Sequence, residues 1–223
     1  MARSALTFAK ERLYREVLRE NGLDRAWVAA LFSRFANGQR ELAELLFFLL
    51  DRLSDAPQAD IAENVLFVLQ TALQNGLDPN YLYEEHPSRV KNIMWEFVAA
   101  LRWSIAVPRG IRMLLEHGGD PNLTVNDERV FWLVDAFLEY CGANTPINVL
   151  YAWLVMAAYG GNEDNLAYPP FRMLADTLRD ALKRFENYAF VFEPASEGAH
   201  RQANVLCIID RRTGEKIAVN ETL

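Results

Sequence analysis

Histidines, cysteines and paired carboxylates are the side chains through which this chain could carry out metal, nucleophilic or acid-base chemistry. Its three histidines, His86, His117 and His200, lie far apart. No two of them have helical spacing, so the close convergence of ligands that a metal ion demands is missing. His117 closes an apolar helical run, where an imidazole with partial positive charge suits the negative end of the helix dipole. Cys141 follows Glu139 and Tyr140 and precedes Gly142, surroundings that would not draw out a thiolate, and it reads as a packed thiol. The adjacent acids Glu84 with Glu85 and Asp127 with Glu128 would need to face one cleft from unlike environments to share acid and base work. In loops such pairs read as solvated charge. Phosphate-binding glycine loops and nucleophile elbows do not occur. These residues therefore assign no catalytic group, no metal and no cofactor, and leave electrostatic attraction of a partner as their chemistry.

The elements that must position them are mostly helices. Apolar residues recur three and four apart in "LTFAKERLYREVLREN", "DRAWVAALFSRFANG", "QRELAELLFFLLDRL", "DIAENVLFVLQTALQNG", "VKNIMWEFVAALRWSI", "PRGIRMLLEHGG", "ERVFWLVDAFLEYCG", "TPINVLYAWLVMAAYGG" and "PPFRMLADTLRDALKRFENY". Pro108, Pro146 and Pro170 are placed as first helical residues, where the missing amide costs nothing. The uninterrupted apolar stretch from Val149 to Tyr159 is 11 residues long, against about 20 for a bilayer span, so it reads as a core helix. Near the end the pattern changes. "YAFVFEP", "ANVLCIID" and "EKIAVNE" read as strands of a small antiparallel sheet, with "RRTG" as a hairpin turn in which Gly214 takes positive φ, and Ser196 to Gln202 as the connection between the first two strands. Two cysteines in 223 residues and a charged start (Lys10, Glu11, Arg12) fit a reducing, cytoplasmic setting without an export signal.

Self-similarity divides the middle of the chain. "LQNGLDPN", "LEHGGDPN" and "AAYGGNEDN" place Gly76, Gly118 and Gly160 at a constant interval of 42 residues. A glycine in the left-handed conformation ends a helix, and the Asp-Pro step turns the chain. Each interval holds a helical pair, as in Val90 to Val107 followed by Pro108 to His117. "PRGIRMLLEHGGDPN" resembles the second helix and following turn of an ankyrin repeat, "VLQTALQNGLDPN" does so less fully, and "LYAWLVMAAYGGNED" faintly. The resemblance covers about half the chain, mainly 61 to 165. It implies stacked helical hairpins that bury their apolar faces on one another and serve protein binding. The chain departs from that family in its 42-residue interval, against about 33, and in lacking the Thr-Pro-Leu-His opening. The units are accordingly read with enlarged first helices or connections, and nothing in the wording calls for a long hairpin finger between them. A HEAT-like stack suits the interval, at about 40 to 47 residues, but leaves the Gly-x-Asp-Pro-Asn turn unexplained. The fold expected is mainly α, a solenoid of stacked helical hairpins with a small C-terminal antiparallel sheet. Residues 1-60 form a helical region stacked on the repeats, 61-165 the repeats, and 166-223 a helix with a three-stranded meander, all one continuous domain.

Charge is uneven along that plan. Lys plus Arg against Asp plus Glu number 9 and 9 over residues 1 to 60, 6 and 13 over 61 to 165, and 8 and 8 beyond. The formal charge of −7 thus falls on the repeats, a sign that repels nucleic acid and speeds encounter with a basic protein. Tyr81 and Tyr83, just after a turn, are placed as exposed contact residues beside Glu84 and Glu85, with Asp127, Glu128 and Asp135 as further members of the surface. Trp95, Trp132 and Trp153 sit in apolar helical patterns and read as core. The function expected is non-catalytic binding of a basic protein partner, with neither nucleic acid nor membrane. The alternatives are an immunity or antitoxin protein neutralising a basic toxin, and an enzyme with an unfamiliar site between the helices and the terminal sheet.

Overall fold

The computed structural model describes residues 2–19, 22–54, 61–86, 89–125, 128–141, 147–159, 188–193, 205–210, 213–214 and 216–218. They form a mainly helical chain with small antiparallel sheets. The helices are α1 (Ala2–Val17), α2 (Arg25–Ser33), α3 (Gln39–Leu53), α4 (Ala62–Gln74), α5 (Ile93–Leu101), α6 (Ala106–Glu116), α7 (Val130–Cys141) and α8 (Ile147–Ala158). The strands are β1 (Leu82–His86), β2 (Arg89–Asn92), β3 (Thr124–Val125), β4 (Glu128–Arg129), β5 (Tyr188–Glu193), β6 (Val205–Asp210) and β7 (Lys216–Ala218). Among the described residues no helix is long and apolar enough to cross a membrane.

The helices form where apolar residues fall on one face. In α3, Leu42, Leu45, Leu46, Leu49, Leu50 and Leu53 are all buried, as are Val65, Leu66, Leu69, Ala72 and Leu73 in α4, a stripe too wide to remain in water. It is covered by neighbouring helices in two rows: α1 packs on α3, α3 on α5 and α5 on α7, while α2 packs on α4, α4 on α6 and α6 on α8. Within pairs, α5 packs on α6 and α7 on α8. The α5 to α6 contact is close because Gly110 leaves room for Phe97. A Cβ on Gly110 would lie 2.3 Å from the Phe97 ring.

Helices α4 and α6 end in the same way. Gly76 and Gly118 have φ of 92° and 93°. The amides of Leu77 and Gly119 reach back to the carbonyls of Ala72 and Leu114, at 3.1 and 2.9 Å, which satisfies carbonyls left over at a helix end. Asp78 and Asp120 then accept the amides of Asn80 and Asn122, each at 2.8 Å, fixing the turn. Successive turns are joined by side-chain amides. The Gln39 amide nitrogen donates to the Gly76 carbonyl and its oxygen accepts the Asp78 amide at 2.8 Å. Asn80 repeats both bonds one unit on, to the Gly118 carbonyl at 2.9 Å and from the Asp120 amide at 2.7 Å. Gly160, which would head the third turn, lies outside the described residues.

Two antiparallel hairpins follow these turns, β1 with β2 and β3 with β4. They correct the sequence reading. Val90 to Asn92 and Glu128 to Arg129, expected to begin helices, are strands, and Glu84 and Glu85 lie in β1 and not in a loop. The constant interval also conceals unlike contents: the first hairpin is longer than the second, and α5 has 9 residues against 12 in α7. Pro108 is the third residue of α6, which starts at Ala106. It still falls in the first turn, where a helix needs no amide from it. Near the C-terminus β5, β6 and β7 form an antiparallel sheet in that order, and Gly214 has φ 73°. The expected helix of 169–187, the connection Ser196 to Gln202, Pro146 and Pro170 lie outside the described residues.

Two glycine substitutions separate close packing from backbone conformation. Gly110→Ala should destabilise by about 1 to 3 kcal/mol through overpacking against Phe97, despite alanine's better helix propensity. A Cβ at Gly118 meets nothing within 4 Å, so Gly118→Ala should cost about 1 to 2 kcal/mol from its left-handed backbone alone. Gly118→Asn, which tolerates that conformation, should recover part of the loss in urea unfolding.

Candidate protein-binding surface

The hairpin β1 to β2 is built from two faces. Tyr83 pairs with Lys91, Leu82 with Asn92 and Glu84 with Val90, and successive residues of a strand point to opposite sides. Tyr83 and Lys91 therefore share the side that meets α3, and Glu85, at an irregularity in the register between Glu84 and His86, also reaches Lys91. The Tyr83 ring packs on Phe47 with centroids 5.3 Å apart. Lys91 Nζ lies 5.8 Å from the centroid of the Phe47 ring, and forms ion pairs with Asp51 of α3 at 3.0 Å and with Glu85 at 3.4 Å. Its side chain is 1% exposed, against 47% for Asp51 and 41% for Glu85. Arg89 adds a contact to Glu85 at 3.3 Å. At the foot of the hairpin, buried Asn92 accepts the Met94 amide at 2.8 Å, capping α5, and donates to the Pro79 carbonyl at 3.2 Å.

This geometry splits the acid pair seen in the sequence. Both acids are exposed, but Glu85 pairs with Lys91 and Arg89 whereas Glu84 pairs with none of the described cations. The same division holds more widely. Several carboxylates on the helices are held by nearby cations, Glu44 by Lys10 and Arg40, Glu63 by Arg109, Glu116 by Arg112 and Glu11 by Arg52, though Glu41 and Glu96 have no such pair among the described residues. The Arg109 hydrogen bond lowers the Glu63 pKa, and Glu44 is likewise lowered, its cations outweighing the opposing effect of burial. By contrast, none of the described cations forms an ion pair with Asp78, Glu84, Asp120 or Glu128, all four of them exposed on the turns and hairpins.

The sequence-predicted residues are thus only partly brought together. Tyr81 and Tyr83 are half-buried and packed against the core, a correction to their expected exposure: the hairpin folds them back onto the helices. Glu128 is exposed on β4, Asp135 lies in α7, and Asp127 lies outside the described residues. Trp153 is buried and stacks on Phe131 at 5.4 Å, and half-buried Trp95 meets Phe137 edge-on at 6.3 Å. His117 caps α6, with Nδ1 2.8 Å from the Met113 carbonyl, and His86 is exposed on β1. Sequence reasoning missed Lys91 and Asn92, which it placed in a helix, and Asp51. It also missed Trp103, 60% exposed beyond α5. In the sequence, Pro87 was the available mark of a break between Glu84 and the helix that follows. Among the described residues no group of His, Cys, Asp or Glu could hold a metal ion. The chain matches no family model, no curated protein and no solved structure.

Glu96 of α5 sits beside this cluster. Burial raises its pKa, Lys91 opposes the rise, and Asp51 adds to it. The folded state therefore binds the Glu96 proton more tightly than the unfolded state does. That makes its ionised form a cost to stability above the folded pKa, relieved as pH falls toward the ordinary carboxylate value. Glu96→Gln should accordingly raise the unfolding midpoint at pH 7 by a few degrees at most. The gain should shrink as pH falls through the carboxylate range in thermal scans.

Proposed function

We propose that this chain is a non-catalytic protein-recognition module, an ankyrin-like stack of helical pairs that takes a basic protein partner along the edge formed by its turns and hairpins. One observation carries the reading. Several helix-face carboxylates are paired with cations, while among the described residues Asp78, Glu84, Asp120 and Glu128, on neighbouring turns and hairpins, have no ion pair. Asp78 and Asp120 occupy equivalent positions in equivalent turns, so the edge presents negative charge at a repeated spacing. Charge of one sign along an edge steers an oppositely charged partner and chiefly raises its association rate. The repeated glycine-terminated turns, the amide bridges between them and the two rows of packed helices support the likeness to ankyrin repeats. Function rests on the edge rather than on that likeness, because a fold does not by itself determine a function.

The test uses the partner recovered from cells of the source organism with the full chain as bait. Glu84→Lys combined with Glu128→Lys should leave the circular dichroism spectrum and unfolding midpoint nearly unchanged. Association with the recovered partner should slow about tenfold or more at low ionic strength, with the difference closing as salt rises. An unaltered association rate at low salt would remove the acidic edge from the account.

A further inference from the structure

The proposed recognition edge depends on which way the first hairpin faces, and a two-stranded hairpin is marginal by itself. Something must hold β1 and β2 in place. Asn92 fixes only the foot, through the Pro79 carbonyl and the α5 amides. Farther along the strands the hairpin meets α3 through Tyr83 on Phe47 and through Lys91. Lys91 is unusual in this setting. Lysine is seldom fully buried unless paired, and here its ammonium joins two elements, accepted by both carboxylate oxygens of Asp51 at 3.1 and 3.0 Å from α3 and by Glu85 at 3.4 Å from β1. Glu84 pairs with Val90, next to the Tyr83 and Lys91 pair, so with Lys91 drawn toward α3 Glu84 lies on the opposite side, and it is exposed there.

We propose that Lys91 is the positioning residue of the recognition edge: its bridge between Asp51 and Glu85 clamps the β1 to β2 hairpin on α3 and thereby presents Glu84 outward to the basic partner. This rests on the proposed function. A buried lysine retained where a methionine of similar length would pack is not needed for stability, since hydrophobic replacements of buried ion pairs are often neutral or better. What the lysine adds is direction. It engages one carboxylate on each of two elements, whereas an apolar side chain would leave the hairpin free to shift over Phe47.

Two variants test this from opposite sides of the clamp. Lys91→Met removes the cation, and Asp51→Asn removes its acceptor on α3 without touching the hairpin. Lys91→Met should leave the global urea midpoint close to that of the parent, whereas Asp51→Asn, which leaves a buried ammonium with Glu85 alone, should lower it. Both should also speed hydrogen exchange of the Tyr83 to Lys91 ladder amides about tenfold or more, with α4 and α6 unaffected, and Lys91→Arg should restore protection. With the partner recovered by the full chain, each should weaken binding several-fold. In the Glu84→Lys background, Lys91→Met should add nothing further, because both changes act through the same carboxylate. Unchanged ladder exchange in Lys91→Met and Asp51→Asn overturns the clamp, whatever the partner does. Faster exchange with full binding overturns its role in recognition. If Glu84→Lys itself leaves binding intact, the acidic edge fails instead, and the exchange result still decides the clamp.

Discussion

A side-chain amide ties each of the two described glycine-terminated turns to the chain before it. Helix ends leave carbonyls and amides without partners. In this chain the glycine-terminated turn resolves its own carbonyls and then offers one carbonyl and one amide to the preceding unit. Gln39 takes those of Gly76 and Asp78, and Asn80 takes those of Gly118 and Asp120. A primary amide suits the task because it carries a donor and an acceptor side by side. Leu69 and Leu114 can bury their faces in many arrangements, since the hydrophobic effect has no direction. The amide bridges select one of them.

The position of the hairpins follows from that selection. Each described hairpin follows a glycine-terminated turn that such a bridge holds to the chain before it, and on our proposal its exposed carboxylates contribute to one recognition edge. Several helix carboxylates lie within reach of arginines and lysines on the same or a nearby helix, as with Glu63 on α4 and Arg109 on α6.

Gly76 and Gly118 were legible because a positive φ leaves a chemical mark, and the terminal strands were legible from their Val, Ile and Phe content beside Gly214. The hairpins were not. Val90 to Asn92 continues an apolar spacing that suits the helix after it, and a strand of four residues is too short to establish its own alternation. The regular interval misled in a subtler way, since a longer hairpin with a shorter helix and a shorter hairpin with a longer helix occupy the same length. At the surface, composition located the negative charge but not its partners. Glu84 and Glu85 are neighbours in the sequence, and only the folded hairpin shows that Glu85 pairs with Lys91 and Arg89 while Glu84 pairs with none of the described cations.

The most direct measurement is amide hydrogen exchange at Asp78 and Asp120 in two single variants, Gln39→Ala and Asn80→Ala. If successive units are joined by equivalent amide bridges, Gln39→Ala should speed exchange at Asp78 and leave Asp120 protected. Asn80→Ala should do the reverse, and each should lower stability by about 1 kcal/mol. Exchange at both positions unchanged in both variants would show that the units are not coupled in this way.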